Sequence, residues 1–227
     1  MNLLRAADRE VTPWKNGGGR TWQIATDSGA ADSGLTGSGA TDSGILASGA
    51  SDPGATDPGT TDSNTAGNGF GWRVSVAEIA ADGPFSVFPR VQRTIAVIDG
   101  AGVELTIDGV ARTLAPFVPL TFPGEAITVG HLLDGTTLDL NLMVGQGFAG
   151  MMEFVVPNGE DPELIRCAPG ETVLVIAVDA GLDCDLPGSA VTLDRFDAVR
   201  VTGPAELILT GNSTGRAAVI RIRPAGG

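Results

Sequence analysis

The densest group of residues able to do chemistry is Thr12-Pro13-Trp14-Lys15-Asn16-Gly17-Gly18-Gly19-Arg20-Thr21-Trp22. Three glycines in succession let the backbone enter positive φ and aim consecutive N–H groups at one point, which is how a nest holds an anion. Lys15 would add a point charge, Asn16 a donor and an acceptor, and Thr21 a hydroxyl on the following strand. Such a loop suits a carboxylate or a phosphate. The same glycines serve equally well as a tight chain crossing under Trp14 and Trp22, and the sequence leaves both readings standing. It is not a nucleotide-binding P-loop, whose lysine follows the glycines and opens a helix.

Two later segments offer partners. In GWRVSVAEI an extended chain puts Arg73, Ser75 and Ala77 on one face and Trp72, Val74, Val76 and Glu78 on the other. An arginine among small residues can point into a barrel and clamp a carboxylate with its planar fork, or it can form an ion pair with Glu78 of a neighbouring copy or with Asp139. Arg93 opens a later strand and carries the same two readings. In TTLDLNLMV, Leu138, Leu140, Leu142 and Val144 alternate with Asp139, Asn141 and Met143. If the leucines pack against an outer layer, Asp139 and Asn141 face the lumen beside Arg73.

Other chemistries are poorly supplied. The chain has one histidine, His131, and metal centres of the His-x-His kind cannot be assembled from it, so no metal and no cofactor is expected. Cys167 and Cys184 lie 17 positions apart and read as small core residues. There is no Gly-x-Ser-x-Gly elbow, and no spacing favours a pair of carboxylates. A net charge of −13 repels phosphate backbones and anionic lipid, which argues against nucleic acid and membrane as partners. No apolar run suggests a signal peptide or a membrane span, so a cytoplasmic protein is expected.

The elements that would position these residues read as strands. Short apolar runs are broken by Gly, Pro and Asp-Gly, and a sustained helical period is missing. Strands are expected at 20–25, 72–80, 93–98, 103–107, 110–114, 127–133, 136–144, 151–156, 172–178, 190–193, 197–202, 205–210 and 217–223. Asp99-Gly100, Asp108-Gly109 and Asp134-Gly135 supply hairpin turns. Residues 26–69 repeat small polar residues, Gly and Pro with period five, too little apolar area to offset chain entropy, so a disordered insertion is expected there. An echo between FPGEAITV (122–129) and APGETVLVIA (168–177) suggests two related modules, 1–147 and 148–227. Edge-strand or face pairing of such barrels makes a homodimer an expectation too.

Three segments, PWKNGGGRTWQIA, GWRVSVAEIAADGPFSVFPRVQRTIAVIDG and FPGEAITVGHLLDGTTLDLNLMV, resemble the HutD/Ves family of bacterial proteins. The resemblance covers residues 1 to about 145; the remainder is similar only in strand pattern. It implies an all-β bicupin, a double-stranded β-helix of the RmlC-like jelly-roll type, lacking the metal-ligand histidines. It further implies a setting in histidine utilisation or stress response and a small anionic ligand, such as formylglutamate or urocanate, with no catalytic activity attached to the family. Carried over by motif, the ligand-binding residues would be Lys15, Asn16, Gly18, Thr21, Arg73, Ser75, Arg93 and Asn141. Two departures stand out: the 26–69 repeat replaces a short loop, and Arg20 occupies a position where a smaller residue is typical. The competing expectation is a metal-free cupin enzyme, an isomerase or lyase acting on a small carboxylate or sugar, with Glu78 or Asp139 as base.

Overall fold

Alternating apolar residues between turn-forming pairs produce strands and little else. The computed structural model of the chain describes residues 1–14, 17–27, 70–212 and 214–226, and within them the one helical element is the 3-10 turn Ala6–Asp8. Apart from Thr26 and Asp27, the repeat at 26–69 lies outside the described residues, as do Lys15 and Asn16.

The first half contains β2 (Val11–Pro13), β3 (Gly19–Asp27), β4 (Trp72–Ile79), β5 (Gly83–Pro84), β6 (Val91–Asp99), β7 (Val103–Ile107), β8 (Val110–Leu114), β9 (Leu120–Pro123), β10 (Thr128–Leu132) and β11 (Thr137–Gly145). They form a six-stranded sheet in the order β2-β3-β4-β11-β6-β9 and a four-stranded sheet β5-β10-β7-β8. The second half contains β12 (Phe148–Val155), β13 (Glu163–Cys167), β14 (Thr172–Ala177), β15 (Leu182–Leu186), β16 (Ser189–Leu193), β17 (Ala198–Thr202), β18 (Ala205–Thr210) and β19 (Ala217–Pro224). With β1 (Asn2–Leu4) these form the sheets β1-β17-β14-β19-β12 and β13-β18-β15-β16. Adding eight to each strand number turns β4-β11-β6-β9 into β12-β19-β14-β17, and β5-β10-β7-β8 into β13-β18-β15-β16. One eight-stranded jelly roll therefore occurs twice, which is the bicupin architecture expected.

The sequence echo does not mark this repeat. FPGE joins β9 to β10 and APGE joins β13 to β14, whereas strand order matches β9 with β17 and β13 with β5. What the two segments share is a turn. The Glu125 carboxylate accepts the Arg90 N–H at 2.9 Å, and the Glu171 carboxylate accepts the Ala168 N–H at 2.9 Å. Each expected strand is present to within a few residues. The unexpected ones are β1, β2, β5, β9, β13 and β15, short elements that other strands hold in place rather than their own pattern.

The two long sheets pack back to back. Val74, Val76, Leu140 and Leu142 from one meet Leu174, Ile176, Ile220 and Ile222 from the other, all buried. Inside the second jelly roll Val173, Val175, Ala177, Ala217 and Val219 pack on Leu182, Cys184, Leu193, Leu207 and Leu209. The chain start is tied to that second roll. Asn2–Leu4 pairs with β17 as an antiparallel edge strand. Just beyond it the buried Asp197 carboxylate accepts from Arg5 Nη1 at 2.5 Å, the Ala6 N–H at 2.7 Å and the Asp194 N–H at 3.1 Å.

Because Leu140 is fully buried between the rolls, Leu140→Ala is expected to cost about 2–5 kcal/mol of stability in urea denaturation. A loss under about 1 kcal/mol would mean that the two sheets do not press on each other as described.

Candidate functional site

Strand register builds the site. Both β4 and β6 flank β11, so Arg73 and Arg93 lie opposite Met143 from its two sides. One row deeper Asn141 lies opposite Ser75 and Ile95, and below that Asp139 lies opposite Ala77 and Val97. On the outer side β3 places Gln23 against Ser75 and Thr21 against Ala77. The leucines of β11 are taken up between the two rolls, so this polar column faces into the first one. Its upper part, Arg73, Ser75, Arg93 and Asn141, lines a cavity of about 650 Å3 together with Trp14, Phe85 and Phe88.

The guanidiniums rest on aromatic faces. Arg93, 5% exposed, lies 4.8 Å from the ring centre of Phe85 and 5.7 Å from that of Phe122. Arg73 lies 5.2 Å from Phe70 and 5.3 Å from Phe88. Such contacts attract a cation but leave its N–H groups to find acceptors in the ring plane. Arg93 Nε donates to Asn141 Oδ1 at 2.8 Å. Arg73 has a poorer supply: Nη2 reaches the Met143 sulfur at 3.4 Å, and Nε is buried with no acceptor.

Asn141 links the arginine to an acid. Its Nδ2 donates to Asp139 Oδ1 while its Oδ1 accepts from Arg93, an arrangement that fixes which way the amide points. Asp139 is fully buried and its Oδ2 has no partner. Burial pushes the Asp139 carboxyl up to about 7, against the opposing pull of Arg93. Burial likewise lowers Arg93 to about 10, with Asp139 resisting and Arg73 adding to the fall. Arg73 is lowered by burial as well. Desolvation outweighs attraction in both Arg93 and Asp139 because the amide, not a direct contact, joins them.

Of the residues marked out in the sequence, Thr21, Arg73, Ser75, Arg93 and Asn141 line this one cavity. Lys15 and Asn16 are outside the described residues. Gly18 is not among the cavity's described lining; its carbonyl accepts the Ala80 N–H at 2.9 Å. The flanking glycines have different reasons, positive φ at Gly17 and close approach at Gly19. Gly17 has φ +72° and donates to the Trp14 carbonyl at 3.0 Å, and a Cβ on Gly19 would sit 1.9 Å from the Glu78 carbonyl oxygen. The crossing reading accounts for Gly19, whereas Gly17 has open space where a Cβ would stand. Arg20 and Glu78 form an exposed ion pair at 2.8 Å on the opposite face of the sheet, away from the cavity. Arg73 makes no ion pair with Asp139; its nearest side-chain partner is the Met143 sulfur. The aromatic cage went unread, because PFSVFPRVQR shows phenylalanines near an arginine without showing which guanidinium each one covers.

Among the described residues, no three His, Cys, Asp or Glu side chains converge as metal ligands would, and no helix is long and apolar enough to cross a membrane. A family model described as HutD matches residues 52–219. The chain belongs to the HutD family. A Pseudomonas putida protein, described as an uncharacterized 21.2 kDa protein in the hutC 3' region, is 32% identical over 211 residues, covering 92% of this chain and 90% of that protein. Protein Ves of Cronobacter sakazakii is 43% identical over 76 residues, which is 33% of this chain and 42% of Ves. The structure of HutD from Pseudomonas fluorescens SBW25, in a formate condition, superposes with a TM-score of 0.71 at 28% identity, covering 99% of each chain. In this HutD-family chain the cage and its two arginines lie in the first jelly roll.

The Asp139 carboxyl binds its proton more tightly in the folded chain, near 7, than at the ordinary value of 3.8. Its stabilising effect is thus full below that ordinary value and is lost as pH rises to about 7. The melting temperature of the native protein is expected to fall across this window relative to Asp139→Asn, whose side chain cannot ionise. Parallel melting curves for the two proteins over the window would refute the assignment.

Proposed function

We propose that this HutD-family protein is a cytoplasmic binder of a small carboxylate, serving a regulatory role in histidine utilisation or a stress response. The observation that carries the proposal is Arg73. Its guanidinium is largely desolvated, held between two phenyl rings, and its Nε meets no acceptor. A buried donor without a partner costs of the order of 1–3 kcal/mol, more when charged, and a ligand oxygen removes that cost. A second guanidinium at Arg93 makes the pocket cationic, and Ser75 and Thr21 add hydroxyls beside an apolar wall. The similar Pseudomonas fluorescens HutD structure is described as a formate condition, which makes formate a natural first anion to try, and its HutD name supports the pathway.

Binding is favoured over turnover by the lining itself. Among the described residues that line the cavity there is no carboxylate, histidine or cysteine able to move a proton directly. Glu78 is on the other face of β4, and Asp139 lies behind Asn141.

Formate, glutamate, formylglutamate and urocanate are the anions to try by thermal shift. A ligand present at 100 times its Kd adds about 2.7 kcal/mol of apparent stability, so a true ligand raises the melting temperature in proportion to the logarithm of its concentration. Arg73→Met keeps the side-chain volume and is expected to weaken binding more than tenfold, or about 1.4 kcal/mol. If none of these anions shifts the native protein, or Arg73→Met shifts equally, a carboxylate does not bind in this cavity.

A further inference from the structure

Arg93, Asn141 and Asp139 form a line running from the cavity wall to the floor of the barrel, and anion binding as proposed above uses only its upper end. The lower end is an acid with half its carboxylate unused. Asp139 Oδ1 accepts from Asn141, and Oδ2 is buried without a partner. We propose that Asp139 is a specificity-determining residue of this cavity: it is the counter-charge of Arg93 while the site is empty, and it takes up a proton when an anion arrives. The inference rests on the anion-binding reading of the same site.

The surroundings leave Asp139 little alternative. Among the described residues, the charged groups on its face of the sheet are Arg93 on β6 and Arg73 on β4, both in the Met143 row two rows nearer the mouth. Its cross-strand neighbours, Ala77 on β4 and Val97 on β6, are apolar. From the facing sheet Val103 and Leu105 on β7 fill the core below, together with Phe85 after β5. The positive field of Arg93, with Arg73 beside it in the same row, is therefore what opposes the loss of charge on this carboxylate. An anion seated on them cancels that field, while the desolvation that already holds the group near neutrality, at about 7, is undiminished. The carboxylate then takes a proton from solvent, forming one O–H bond and losing one negative charge.

Ligand charge follows from this. Two guanidiniums above an ionised Asp139 carry one net positive charge and match a monoanion. Above a protonated Asp139 they carry two and match a dianion. Asp139 thus lets a single pocket accept either charge type, with a larger proton demand for the dianion.

Isothermal titration calorimetry with formate and with succinate tests this, run from about pH 5.5 to about pH 8.5 in buffers of different ionisation heat. Affinity is expected to fall by up to tenfold per pH unit above about pH 7, with net proton uptake approaching one for succinate. In Asp139→Asn both anions should bind with flat pH dependence and no proton uptake. Infrared difference spectra of the native protein need no variant: adding succinate at about pH 8 should bring up a protonated carboxylic-acid band. Anion binding with constant affinity and no proton uptake, or uptake that persists in Asp139→Asn, overturns the role of Asp139 and leaves the anion site standing. If neither anion binds at any pH, the site reading itself fails and the role of Asp139 falls with it.

Discussion

The back-to-back contact of the two long sheets governs the rest of the molecule. It consumes the even-numbered residues of β11, Leu140 and Leu142, against Leu174, Ile176, Ile220 and Ile222. A strand has only two faces, so Asp139, Asn141 and Met143 are committed to the interior of the first roll. The same rule turns Val74 and Val76 outward and Arg73 and Ser75 inward. A polar column inside a barrel is costly unless paired, and the cost is tolerated here because apolar burial between the rolls is extensive. A one-residue slip of β11 would exchange the two faces and lose both contacts together.

The two rolls share one topology and use it differently. In the second, the inward faces of β14 and β19 carry Val173, Val175, Ala177, Ala217 and Val219, all in an apolar cluster with both cysteines. At the end of β19, Arg221 is held by Glu153 at 3.4 Å, by the Arg166 carbonyl at 2.7 Å and by Glu171 at 3.5 Å. Its guanidinium is supplied with the oxygens that Arg73 lacks. One roll thus holds a satisfied arginine and the other an unsatisfied one on the same topology.

Much of this was legible in the chain before folding. Alternation gave the long strands and put Arg73 with Ser75, and Asn141 with Asp139, on common faces, because period two is a local property. What local patterns could not supply was partnership across the sheet. That Arg73 and Arg93 meet the same Met143 depends on register between segments 50 and 70 residues distant. The cage around them depends on Phe70 before β4, Phe85 and Phe88 between β5 and β6, and Phe122 in β9, three separate segments. The triple glycine was ambiguous for a physical reason: an anion nest and a close chain crossing both require a missing Cβ, and only the 1.9 Å approach at Gly19 distinguishes them. The Pro-Gly-Glu echo misled because turn chemistry recurs wherever a carboxylate can accept a nearby backbone N–H.

The short strand Asn2–Leu4 has a mechanical consequence. It pairs with β17 of the second roll, while β2, which follows it in the chain, pairs with β3 of the first. The first thirteen residues therefore act as a strap across both bodies, buckled by the Asp197 carboxylate to Arg5 and Ala6. Tension applied at the chain start is shared by both rolls, and neither can be pulled open from that end while the buckle holds.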